Sequence, residues 1–115
     1  MNGIRMRDIR ERHKDNGGHF FDRASMRFFD SRIERGGPYQ GIGGIYFVTS
    51  EQFHGSQGSE PRKYTVRQVT GEDYDITTAG KFNEIRTVQQ ARDKARLLAS
   101  GVKTAVEIEE FYSHA

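Results

Sequence analysis

Aromatic residues are concentrated in one short stretch of this chain, and that stretch constrains the fold most. Four of the eight phenylalanines, Phe20, Phe21, Phe28 and Phe29, fall within ten residues of an otherwise polar sequence. An aromatic side chain buries roughly 150–250 Å², so a few of them can nucleate a core although only 34% of the residues are hydrophobic. We therefore predict that residues 17–29 form the folding nucleus.

The composition narrows the class of protein. A chain of 115 residues has the size of one domain, and we expect residues 1–115 to form a single small unit. The absence of cysteine excludes disulfides, thiol catalysis and cysteine-based zinc sites. No apolar run reaches the length of a membrane span, and no secretory signal is recognisable. We expect a cytoplasmic protein with no membrane partner, metal or small-molecule cofactor.

The N-terminal third predicts two helices. Apolar residues spaced among charges indicate a helix over roughly 4–15, which Gly17 and Gly18 would end. Asp22 is a typical N-cap for a second helix, whose apolar face would include Met26 and Phe29 and whose end we place near Arg32 or Arg35.

The remainder predicts strands followed by helices. Strands are expected at 45–49, 63–69 and 74–78, with a further short segment at 81–85, and the loops between them at 34–44 and 54–61. Capping boxes at Thr87 and Thr104 begin two helices. The fold class is therefore α+β, with a three- to four-stranded antiparallel sheet, helices packed on one face and the order ααβββ(β)αα.

Polar and apolar residues alternate along the 63–69 strand, so Lys63, Thr65 and Arg67 share one face. A sheet face with cationic hydrogen-bond donors is used by some proteins to read DNA, whereas a solvated sheet face often has the same composition. Our first hypothesis is a nucleic-acid-binding protein with Arg62, Lys63, Thr65, Arg67 and Arg86 at the interface.

The second hypothesis is a protein-interaction module. Its contact residues would be Tyr39, Gln40 and Ile42 in the glycine-rich loop, since tyrosine is favoured at interfaces.

An enzyme ranks third. It would rest only on His19, Ser25 and His54, which do not form a complete catalytic motif. Asp22, three residues after His19, has a sufficient role as a helix cap, so we expect no catalysis.

Most of the chain resembles a family of small uncharacterised proteins encoded by bacteriophages and other mobile elements. The resemblance lies in Gly-His-Phe-Phe-Asp at 18–22, Met-Arg-Phe-Phe at 26–29, Tyr-Phe-Val-Thr-Ser-Glu at 46–51 with Phe53, and Tyr-Thr-Val-Arg at 64–67. It implies an accessory protein that acts by binding, and it transfers no site residue. Such a protein would bind nucleic acid or, under the second hypothesis, would inhibit or modulate a host defence or replication protein.

Residues 62–99 are also similar to the DNA-binding domains of plant ethylene-response factors and phage integrase arms. Those domains have three strands and a helix, and they read DNA with sheet-borne arginine and aromatic residues. The matching positions are Tyr64, Val66, Arg67, Gly80, Phe82, Thr87, Ala91 and Ala95. The chain departs from that pattern in having no tryptophan and a longer link before the helix.

Overall fold

A computed structural model describes residues 3–101, which form three helices and seven strands. The helices are α1 (Met6–Asp15), α2 (Arg23–Phe28) and α3 (Val88–Ser100). The strands are β1 (Arg32–Ile33), β2 (Tyr39–Gly41), β3 (Gly44–Glu51), β4 (His54–Gly55), β5 (Gly58–Ser59), β6 (Lys63–Thr70) and β7 (Asp75–Thr78).

Five of the strands form one antiparallel sheet around the long pair β3 and β6. In that pair Phe47 lies opposite Arg67 and Val48 lies opposite Val66. Strand β7 pairs with the far side of β6, and both β1 and β2 pair with the far side of β3. Strands β4 and β5 form a separate small hairpin.

One face of the sheet is covered by α3. Tyr46, Val48 and Val66 point to this face and pack with Ala91, Ala95 and Leu98 of the helix in one core cluster. The helix starts where its sequence predicts: Thr87 Oγ1 accepts a hydrogen bond from the Gln90 N–H. Gly101, with φ of 77°, ends it.

The opposite face is covered by the N-terminal segment. Phe47 and Val69 point to this face and form a second core cluster with Ile9 of α1. Phe20 and Phe21 pack against the same cluster, and their rings contact Phe47 at centroid distances of 6.1 and 5.9 Å. The aromatic stretch therefore acts as a cover over the sheet.

The α+β class with an antiparallel sheet is confirmed, but the helices occupy both faces of the sheet. The second helix also ends earlier than expected, at Phe28, because Asp30 adopts a positive φ of 49° and residues 32–33 then join the sheet. The segment at 81–85 contributes a single bridge between Tyr64 and Ile85. The helix predicted from Thr104 falls outside the described residues.

Candidate ligand pocket and aromatic ridge

A buried polar network lies on the sheet face beneath the N-terminal segment. Alternation along β3 and β6 places Thr49, Glu51, Thr65 and Arg67 on this face. The Glu51 side chain is fully buried. Its carboxylate accepts hydrogen bonds from Thr49 Oγ1 at 2.6 Å, Thr65 Oγ1 at 2.7 Å and Arg67 Nη2 at 3.3 Å. A buried carboxylate is tolerated where it is paired and hydrogen-bonded in this way.

Arg67 has more hydrogen-bond donors than this network uses. Its Nε donates to Thr49 Oγ1, its Nη1 to Thr78 Oγ1 and its Nη2 to Glu51. A guanidinium has five N–H groups, so two of them have no partner among residues 3–101. Burial lowers the pKa of Arg67, and the neighbouring Glu51 carboxylate opposes that shift. The arginine remains 11% exposed.

The exposed part of Arg67 forms the floor of a pocket. The cavity measures about 350 Å³ and is lined by Phe20, Ser25, Met26, Phe29, Ser31, Arg67 and Phe82. The guanidinium carbon lies 5.1 Å from the ring centroid of Phe20 and 5.3 Å from that of Phe82. Apolar walls with a few polar groups are typical of ligand-binding pockets.

Four phenylalanines beside this pocket form what we call the aromatic ridge, Phe28, Phe29, Phe53 and Phe82. Phe29 is its centre, with centroid distances of 4.6 Å to Phe28, 5.3 Å to Phe53 and 5.0 Å to Phe82. Phe28 is 79% exposed and Phe53 is 37% exposed. Apolar rings clustered at a surface mark an interaction site more often than single exposed apolar residues do.

Unpaired cations flank the ridge along the chain. Arg23 and Arg27 belong to α2, Arg32 follows the pocket residue Ser31, and Lys81 precedes Phe82. All four are exposed, and none forms an ion pair within the described part of the chain. The charge of Arg32 also acts on Asp30 and lowers the pKa of that carboxyl. The charges of Arg23, Arg27 and Lys81 are available to an anionic partner.

A second polar cluster ties the β4–β5 hairpin to the end of α2. Asp30 accepts from Arg62 Nη2 at 2.9 Å and lies 3.2 Å from His54 Nε2, and His54 Nδ1 lies 2.5 Å from Ser59 Oγ. A carboxylate only accepts, so Nε2 carries the proton, and in the neutral ring Nδ1 accepts from Ser59. Serine, histidine and aspartate occur here in the order of a hydrolase triad, but Arg62 already engages the carboxylate and the exposed histidine joins both strands of the hairpin.

The five residues proposed for nucleic-acid binding do not form one open basic face, which corrects the geometry we expected. Thr65 is buried beside Asn83, whose N–H donates to its hydroxyl, and Arg67 is buried between Phe20 and Phe82. Arg62 is committed to Asp30 and Ser50. Lys63 is half-buried and Arg86 is exposed. The alternation along β6 is as predicted, but a second layer covers the polar side.

The loop residues proposed for protein interaction have three different environments. Tyr39 is half-buried against the α3 core, with Arg96 over its ring at 5.4 Å. Gln40 is exposed, and its Oε1 accepts from the Ile4 N–H at 3.1 Å. Ile42, at the tip of the β2–β3 turn, is 94% exposed.

The three residues of the enzyme hypothesis belong to separate groups. His19 Nδ1 lies 2.7 Å from Asp22 Oδ2, so the carboxylate expected to cap α2 contacts this histidine and makes no side-chain cap bond. Ser25 lines the pocket and His54 lies in the hairpin. Within residues 3–101 no group of three or more histidine or acidic residues is placed to hold a metal ion.

The ridge could have been anticipated from one signal. If Met26 and Phe29 share the apolar face of the expected second helix, a helical period of 3.6 residues places Phe28 off that face. The Glu51–Arg67 pairing had no such signal, because it depends on strand register.

Comparison with known proteins identifies a family whose function is unknown. Residues 5–96 match a family model described as "Family of unknown function (DUF7447)". No curated protein and no solved structure matches the chain. Among the described residues, no helix is both long and apolar enough to cross a membrane.

Proposed function

Because the chain belongs to this family of unknown function, its membership assigns no activity, and we propose from its surface that it is a non-enzymatic protein that binds nucleic acid. The observation that carries the proposal is the aromatic ridge, where Phe28 is 79% exposed and shares the short helix α2 with the exposed Arg23 and Arg27. Proteins that bind single-stranded nucleic acid commonly combine aromatic rings, on which bases stack, with cations that follow the phosphate backbone.

The charge distribution supports the ridge over the sheet face as the contact surface. Thr65 and Arg67 are buried, so a phosphate cannot reach them from an open sheet face. Arg23, Arg27, Arg32 and Lys81 are exposed and unpaired among the described residues. Each phosphate neutralised by such a cation adds affinity that falls as salt rises.

The biological setting is part of the same proposal. The resemblance of residues 18–67 to bacteriophage and mobile-element proteins favours an accessory or regulatory protein that works in the cytoplasm of a host cell. The lack of cysteine is compatible with a reducing compartment.

The test is direct binding of labelled single-stranded DNA, single-stranded RNA and duplex DNA, measured by fluorescence anisotropy at about 50 and about 200 mM salt. We expect the single strands to bind more tightly than the duplex and all affinities to fall with salt. Phe28→Ala should weaken single-strand binding about tenfold, since stacking contributes roughly 1–3 kcal/mol per base. Phe28→Tyr keeps the ring and should bind like the wild type.

Two matched controls separate the ridge from general effects. Ile42 precedes β3, whereas Phe53 of the aromatic ridge follows it. Ile42→Ala therefore removes an exposed apolar side chain away from the ridge and should leave the affinity for single strands unchanged. Arg23→Glu with Arg27→Glu should weaken binding more than Arg7→Glu with Lys14→Glu, which makes the same charge change on α1. Absence of binding at about 50 mM salt would reject the proposal, as would equal affinity of Phe28→Ala and the wild type.

A second candidate function is protein interaction through the β2–β3 turn, which the exposure of Ile42 favours. The turn is held rigidly, because the Gly43 N–H donates to the Ala99 carbonyl oxygen of α3 at 2.9 Å. A side chain at Gly43 would collide with the Leu98 carbonyl oxygen. Ile42→Asp should abolish recovery of a host protein from bacterial lysate, while Phe28→Asp should not. Equal recovery with Ile42→Asp and the wild type would exclude this surface.

A further inference from the structure

We propose that the Arg67 pocket receives a single unstacked nucleobase and recognises it through a carbonyl oxygen. This inference rests on the proposed nucleic-acid binding and assigns its pocket a ligand. The pocket adjoins the ridge through Phe29 and Phe82, which belong to both. A strand stacked on Phe28 thus passes directly beside the opening.

The size and walls of the pocket fit a flat aromatic ring. Its volume of about 350 Å³ lies near the lower limit of small-molecule sites, which run from about 300 to 1,000 Å³. Phe20, Met26, Phe29 and Phe82 provide apolar walls. Extruding a base from a single strand costs less than flipping it from a duplex, which agrees with the expected preference for single strands.

The polar groups of the pocket are hydrogen-bond donors without partners. Two N–H groups of Arg67 are unused by Thr49, Glu51 and Thr78. Ser25 and Ser31 also line the cavity, and neither makes a side-chain hydrogen bond within residues 3–101. A ligand with outward-facing acceptors would satisfy these donors.

The charge of the floor favours a neutral acceptor over a phosphate. Glu51 is ion-paired to Arg67 at 3.3 Å and fully buried, so the pair presents donors with little net charge. A phosphate placed there would meet the Glu51 carboxylate across a poorly solvated site, where repulsion is weakly screened. The phosphates are better placed outside, against Arg23, Arg27 and Arg32. A carbonyl oxygen of a base has two lone pairs and can accept from both unused N–H groups of Arg67, whereas a ring nitrogen accepts from only one. The acceptor best matched to the pocket is therefore a base carbonyl.

The proposal predicts which bases bind. Thymine, uracil, cytosine and guanine carry a carbonyl oxygen, whereas adenine has none and offers only ring nitrogens and an amino group. The probes are labelled DNA strands of abasic positions with one central thymine or one central adenine, since such strands cannot stack on themselves. We expect the thymine strand to bind at least fivefold more tightly than the adenine strand.

Two variants test the pocket. Ser25→Leu fills it from the exposed helix α2, and Arg67→Lys keeps a cation for Glu51 while reducing the number of donors. Each folded variant, checked by thermal unfolding, should lose the preference for thymine and keep the affinity for a wholly abasic strand. Ala24→Leu adds the same bulk at a neighbouring exposed position that does not line the pocket, and should keep the preference.

The outcomes distinguish this inference from the proposed function. Equal binding of the thymine and adenine strands, or a preference that survives in Ser25→Leu, overturns the pocket assignment and leaves binding by the ridge intact. If the wild type binds neither these probes nor ordinary single strands, the proposed function itself fails.

Discussion

At the scale of single residues, the unusual feature is a carboxylate and a guanidinium buried on one sheet face. Burying an ion pair costs desolvation, and the pair is stable only where both ions keep their hydrogen bonds. Glu51 has three donors around its two oxygens. Thr49 links the two ions, because its hydroxyl donates to Glu51 and accepts from Arg67.

Removing one member of this pair should therefore be more damaging than removing both. Glu51→Ala leaves the Arg67 charge without its partner, and we expect the free energy of unfolding to fall by about 3–5 kcal/mol. The double variant Glu51→Met with Arg67→Met should recover most of that loss. Denaturant unfolding monitored by circular dichroism measures both, and additive losses would contradict the pairing.

At the scale of elements, the small β4–β5 hairpin is held by Asp30, which lies just after the end of α2. Asp30 takes a left-handed conformation, which aspartate tolerates better than most residues, and it faces both His54 and Arg62. The hydrogen bond from His54 and the nearby charges of Arg62 and Arg32 hold the pKa of Asp30 below its ordinary value of 3.8, against an opposing effect of burial.

The lowered pKa of Asp30 should make the stability of the fold depend on pH in a defined direction. A carboxyl whose pKa is lower in the folded state stabilises the fold above its unfolded-state pKa, and the contribution is lost as the pH falls through the folded value. Asp30→Asn should therefore lower the melting temperature at neutral pH, and the difference from wild type should shrink below pH 3.8. Asp15→Asn makes the same charge change on α1 and serves as the control. A difference for Asp30→Asn that is constant with pH would contradict the mechanism.

Elements whose signals are local were predictable from the sequence. The Thr87 cap predicted the start of α3, and the alternation of polar and apolar residues predicted β6. The arrangement of the layers was not predictable, because alternation alone makes Thr65 and Arg67 look solvent-facing. Only the folded sheet shows that both donate hydrogen bonds to the buried carboxylate of Glu51. The pocket combines Phe20, Arg67 and Phe82, which are distant in sequence, so only the tertiary structure assembles it.

At the scale of the whole molecule, the sheet has a core on each face. Ile9 is the buried anchor of α1 on one face, and Leu98 is buried under α3 on the other. Neither face is open to solvent along the central strands, which explains why every residue from Tyr46 to Glu51 is buried.

Because both cores share the central strands, damage on either face should unfold the same unit. We expect Ile9→Ala and Leu98→Ala each to cost about 2–5 kcal/mol, with one transition observed by fluorescence and by circular dichroism. Glu11→Ala, at an exposed position of α1 near Ile9, is the control for the helix itself. Two separate transitions, or a negligible effect of Ile9→Ala, would show that the N-terminal cover is not part of the cooperative fold.

The borders of the sheet have a consequence for how partners can attach. One border is interrupted, since β1 and β2 each occupy only part of the length of β3, and the other is the four-residue strand β7. A partner that adds its own strand to a sheet needs a long row of unpaired backbone amides and carbonyls at the sheet edge. Short or interrupted edge strands do not provide such a row. Within residues 3–101, the sheet edges therefore offer no long row of backbone groups to a partner's strand or to a second copy of this chain. Side chains are left as the groups that a partner can contact there.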